Sequence, residues 1–122
     1  MTLTIIHDRL AITAVIFTAI CAIWGLIIFL RKGNISGSYW GTLAIAELLM
    51  IAQMVIGVVL WAGGGRPGRG GVHLLYGITA IISLPALFLY IDGKDTRREA
   101  ILFAIVSLWL FFISLRAMTT GY

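Results

Sequence analysis

Four apolar runs, each close to the length that crosses a bilayer, follow one another along this chain with only short polar breaks between them. A hydrocarbon core of about 30 Å needs roughly 20 residues of helix. The runs cover about residues 5–31, 39–62, 72–91 and 97–118, and are closed by "RKG", "GGG", "DGKD" and the tail "TTGY". Helix is the conformation such runs demand, because a lone strand in lipid leaves its backbone groups unpaired. Connections this short make neighbouring helices antiparallel. The expected fold is an all-α integral membrane protein: residues 1–122 form a single four-helix transmembrane domain, an up-down-up-down bundle with both termini on the same side.

Composition removes the soluble alternative. The chain has 122 residues, 61% of them hydrophobic and 11% charged, and its mean hydropathy is +1.05. A fold this small exposes much of its surface and cannot hide that much apolar area from water. The net charge of +4 comes from Arg and Lys between the runs, where they suit lipid headgroups. No continuous basic stripe exists, so the expected partners are the lipid bilayer and either other membrane subunits or further copies of the chain, with no nucleic acid. Cys21 stands alone, which excludes an intramolecular disulfide. The first run is too long for a cleavable signal and has no basic segment before it or A-x-A site after it. Arg9, Arg66, Arg69 and Arg116 fall on the side of the termini, and Arg31, Lys32, Lys94, Arg97 and Arg98 on the other. That split is too even for the positive-inside rule to orient the bundle. A multi-pass protein of a prokaryotic plasma membrane is the expected setting.

Local signals mark the helix ends. Thr96 followed by Glu99 reads as a capping box for the fourth helix. Gly33 and Gly63 occupy the places of C-terminal glycine caps. Tyr39, Trp40, Trp61, Tyr76 and Tyr90 fall near span ends, as an interfacial aromatic belt requires. Trp24 and Trp109 are deeper and read as packing residues.

The most specific feature is a repeated decamer. "HDRLAITAVI", His7 to Ile16, and "HLLYGITAII", His73 to Ile82, share His, Ile, Thr, Ala and a final Ile at a fixed offset. They also pair Ala11 with Gly77 and Val15 with Ile81. The two segments open the first and third helices, which enter the membrane from the same side. This suggests two duplicated helical hairpins, although Ile and Ala are abundant enough for chance to supply part of the match, and the second and fourth helices align poorly.

With or without duplication, the chain's two histidines sit at equal depth on helices that can face each other diagonally. Two imidazoles so placed can clamp one haem iron from opposite faces. A porphyrin needs small neighbours, and the positions following His7 at helical spacing are Ala11, Ala14 and Thr18, with Gly25 further along. Those following His73 are Gly77, Ala80 and Leu84. The four arginines Arg9, Arg66, Arg69 and Arg116 lie on the same side and can pair with propionates. The cofactor expected is one haem b, with His7 and His73 as metal ligands. The alternatives are histidines facing headgroups, small-residue stripes that only pack helices, and arginines snorkelling to phosphates. Zinc would find an incomplete set in two histidines and Asp8.

Glu47 is an ionisable group well inside the second run, where a bare charge costs several kcal/mol. It reads either as a proton carrier or quinone-pocket wall, or as a neutral acid bonded to another helix, for instance to Ser107. Gln53 can bond a cofactor, or more simply a backbone carbonyl. Pro85 should kink the third helix near Ile81, with Ser83 at hand for the freed carbonyl. "GGGRPGRGG" lacks the Gly-Lys-Ser/Thr ending of a P-loop and reads as a membrane-surface loop able to meet an anion.

The plan resembles that of small transmembrane b-type cytochromes, four-helix bundles with histidine ligands on facing helices. That resemblance implies electron transfer, here through one haem because two histidines supply one axial pair. Small multidrug transporters share the length and span number, but their membrane glutamate lies in the first helix and Glu47 lies in the second. The expected function is a membrane electron carrier that works with a quinol pool or a partner subunit. The other readings are an accessory subunit of a larger respiratory or photosynthetic complex, and a small proton-coupled transporter using Glu47.

Overall fold

The computed structural model describes residues 3–63 and 70–120. Their regular structure is all helical, with no strand among the described residues: α1 Leu3–Leu30, α2 Gly37–Ala62, α3 Gly70–Tyr90 and α4 Arg97–Thr120. All four are long and apolar enough to span a membrane, which suggests a lipid bilayer environment. The helix ends fall within a few residues of the expected spans. Arg66 and Arg69, with most of the glycine-rich stretch, lie outside the described residues.

Side-chain size is distributed as in a helix bundle whose solvent is hydrocarbon. Ile16, Ile23, Leu48, Leu89 and Phe112 are exposed, while Ala14, Ala46, Ala80, Ala100 and Ala104 are buried. Small residues inside let helix backbones approach closely where no hydrophobic effect drives them together. Helix α1 packs on α2 and α4, and α3 packs on α4 and α2. This ring sets α1 across from α3. The α1–α4 seam is the most extensive and the α2–α3 seam the thinnest.

The close α1–α4 approach depends on Gly25. A Cβ there would lie 2.5 Å from the Tyr39 hydroxyl, 3.0 Å from the Ala100 carbonyl oxygen and 3.0 Å from the Ala104 Cβ. The missing side chain admits the Tyr39 phenol, which donates to the Cys21 carbonyl at 2.8 Å and meets Trp24 edge-on. Tyr39 is 0% exposed, so it is a core residue and not part of an interfacial belt. Trp40 is also turned inward, between Phe88 and Phe103, whereas Tyr90 is exposed. Trp24 packs inside as expected, but Trp109 is exposed.

The helix ends differ from expectation in an instructive way. At the end of α1 the Gly33 N–H bonds the Ile28 carbonyl and the Lys32 N–H bonds the Phe29 carbonyl, the paired bonds of a Schellman motif. Its left-handed position is Lys32 at φ 54°, not Gly33. The end of α3 repeats the pattern, with Asp92 at φ 53° and Gly93 bonded to the Phe88 carbonyl. Gly63 is the C-cap of α2 as expected, its N–H bonded to the Val59 carbonyl at 3.0 Å, though at φ −82° and ψ 7° it is not left-handed. Arg97 closes α1 from outside, donating Nε to the Phe29 carbonyl at 2.7 Å and covering the Phe29 ring.

At the start of α4, Glu99 Oε1 accepts from the Thr96 N–H at 3.1 Å, which forms one arm of the capping box. The Thr96 hydroxyl turns to the same carboxylate oxygen. Ile35 N–H donates to the Asp95 carbonyl at 2.7 Å, so the α1–α2 and α3–α4 connections meet at one end of the bundle.

Candidate functional site

The helical spacing of the repeated decamers puts one imidazole on α1 and one on α3, and the ring of helices turns both inward. The His7 and His73 ring centroids are 6.3 Å apart, with planes at 68°. They border a cavity of about 390 Å³, within the usual size of small-molecule sites. Its floor is made of the residues expected from the stripes: Ala11 and Ala14 on α1, Gly77 and Ala80 on α3. The matched threonines behave alike. Thr13 Oγ1 bonds the Arg9 carbonyl at 3.1 Å and Thr79 Oγ1 bonds the Leu75 carbonyl at 2.9 Å. Each satisfies itself within its own helix, and neither lines the cavity.

Helix α2 contributes what single-stretch reading passed over. Gly57 stands beside His7, so that a Cβ there would lie 3.5 Å from the imidazole Cε1. Met50 and Met54 join Gln53 in the wall, and α4 adds Met118. The signal existed in the spacing: Met50, Gln53, Met54 and Gly57 fall on one helical face. Met54 reaches toward Gly77, where a Cβ would sit 3.1 Å from its terminal methyl.

Gln53 does the simpler of the two things expected of it, donating Nε2 to the His7 carbonyl at 3.0 Å. This bond ties α2 to α1 at the cavity. Gln53 Oε1 and His7 Nδ1 are enclosed and each lacks a hydrogen-bond partner. Buried polar atoms are rarely left unpaired without reason.

Arg9 and Arg116 are exposed and neither belongs to the cavity wall, while Arg66 and Arg69, the other two arginines expected at propionates, lie outside the described residues. Among the described residues no group of three or more His, Cys, Asp or Glu side chains is placed to hold a metal ion. Glu47 is elsewhere, in a second pocket between α2 and α3. The Glu47–Ser107 bond is not formed, since Ser107 Oγ and Glu47 Oε1 both lack partners. Ser83 does not serve the carbonyl freed by Pro85; it donates to Thr79 at 2.6 Å, because a helical serine reaches the carbonyl four residues back.

Comparison with protein-family models, with curated proteins and with solved structures finds no match to this chain.

Proposed function

We propose that this chain is a multi-pass membrane protein that holds one b-type haem between His7 and His73 and carries electrons between a quinol pool or partner subunit and another carrier. The membrane is that of a prokaryotic cell, crossed four times in up-down-up-down order with both termini on one side. The pairing of the α1–α2 and α3–α4 connections at one end supports that order.

The observation that supports the cofactor assignment is the meeting of the two imidazoles at a cavity whose lining includes small residues of α1, α2 and α3 beside Asp8, Gln53 and three methionines. A metal bonded end-on to one nitrogen of each ring at about 2 Å puts the ring centres roughly 6 Å apart. The 6.3 Å separation fits that span. His7 and His73 would hold the iron, at a cavity that Ala11, Gly77 and Gly57 also line. An axial imidazole offers its second N–H to an acceptor, which fixes its tautomer and orientation. Gln53 Oε1 is an acceptor in need of a donor, on the residue that already holds the His7 backbone.

Bound haem supplies a one-electron iron couple. The chain's own part is to hold the two histidines facing each other and to fix the His7 backbone through Gln53. A single haem held at one end of the bundle would not carry electrons across the bilayer, so the relay calls for a partner subunit or a second copy. A transporter built on Glu47 finds less support, because its carboxyl and the histidines occupy separate cavities.

His7→Ala and His73→Ala test the assignment. Produced with full haem supply, each variant should insert into membranes yet lose the sharp α and Soret bands of the reduced protein. Bands that survive both substitutions would overturn it.

A further inference from the structure

A second cavity, of about 250 Å³, opens on the thin α2–α3 seam. Three of its lining side chains are aromatic. The Trp40 ring packs edge-to-face on Phe88 at 5.6 Å and 78° and on Phe103 at 5.3 Å and 82°, so the three rings form one continuous aromatic side of the pocket. Pro85 and Ala44 form its outer rim, and both are exposed on the bundle surface. The one ionisable side chain in its lining is Glu47, whose Oε1 is enclosed and has no hydrogen-bond partner.

These features together select a ligand chemistry. Aromatic walls favour a flat ring, whose faces and edges they meet at favourable geometry. A single carboxyl, able as the neutral acid to donate one O–H, calls for a ligand that is apolar except for an acceptor on its edge. Entry past Ala44 and Pro85 is from the hydrocarbon side, so the ligand dissolves in lipid. The volume accommodates one ring head and leaves a tail in the bilayer.

We propose that the α2–α3 pocket binds the ring of a lipid-soluble quinone, with Glu47 hydrogen-bonded to a ring oxygen and the aromatic side made by Trp40, Phe88 and Phe103 against the ring. Glu47 precedes Gly57, the neighbour of His7, by ten residues on α2, which is about 15 Å along the helix. The site thus gives the electron reading its substrate class, but its geometry stands without haem.

The test uses the full chain in phosphatidylcholine nanodiscs, titrated with a decyl-substituted benzoquinone while tryptophan fluorescence is followed. Wild type and Glu47→Gln, which keeps a donor, should show a saturable phase with similar midpoints. Glu47→Leu should shift the midpoint upward about ten-fold, the worth of one buried hydrogen bond. Ala44→Phe, which fills the rim from the exposed side, should abolish the phase. His7→Ala should leave it intact, so loss of the haem reading and loss of this one are separately visible. Linear quenching that is equal in all proteins would overturn the proposal, and so would equal displacement by decanol, which marks an acyl-chain crevice. Should Glu47→Leu fail to insert, a saturable phase persisting in Ala44→Phe is by itself contradictory.

Discussion

His7–Ile16 and His73–Ile82 meet matching surroundings position by position, whereas the helices that carry them part company a few turns later. Ala14 and Ala80 are buried, at 3% and 5% exposure, and Ile16 and Ile82 both face outward at 53% and 55%. Ala11 and Gly77 line the same cavity from opposite helices. Beyond Thr18 and Leu84, which are both buried, the likeness ends. At the next equivalent contact α1 has Gly25, which receives Tyr39, while α3 has already ended and Ile91 closes its last turn. From His7 to the left-handed Lys32 is 25 residues, and from His73 to Asp92 is 19. The difference of six residues is roughly 9 Å of helix. The lesson is that equivalence is confined to the half of the bundle holding the histidines. The other half of α1 is shaped by its packing on α2 and α4.

Substitutions at matched positions can break or sharpen that comparison. The largest effect is expected at the histidines: if both are axial ligands, His7→Ala and His73→Ala each weaken haem retention by at least about 100-fold, in line with loss of an inner ligand. Markedly unequal losses, read from haem content after purification, would mean that the two decamers do different jobs. Next come two glycines on opposite sides of the divide. Gly25→Ala drives a Cβ into the Ala100 carbonyl and the Tyr39 hydroxyl, and should cost about 3 kcal/mol, an overpacking penalty against backbone that cannot move aside. Gly77→Ala meets only the flexible end of Met54, and should change stability by less than about 1 kcal/mol. Thermal unfolding in detergent compares the two, and equal losses would contradict the division. Smallest are Thr13→Val and Thr79→Val, each removing one hydroxyl bonded within its own helix. Both should cost about 0.5 kcal/mol or less, and by the same amount.

How much of this was legible in the sequence depended on whether a feature is local. Helix positions follow from apolar run length, and the Thr96–Glu99 contact from a three-residue spacing. The facing of His7 and His73 was readable because two similar decamers open helices that a four-helix ring sets opposite each other. Contacts decided by a third helix were not readable. Tyr39 has the composition and position of a belt residue, and only the gap left by Gly25 on another helix draws it inside. Lys32 takes the left-handed position expected of Gly33, since the closing bonds depend on where the helix stops and not on which residue tolerates the conformation best. Met54 and Gly57 entered the site through α2, whose sequence shares nothing with the decamers.

The central claim is that the paired imidazoles hold one haem, and the reduced-minus-oxidised visible spectrum of the purified wild-type chain, made with full haem supply, tests it most directly. The account predicts sharp α and Soret bands of a bis-imidazole b-type haem, at one haem per chain. A chain that is folded, inserted and fully supplied yet shows no such bands would contradict it.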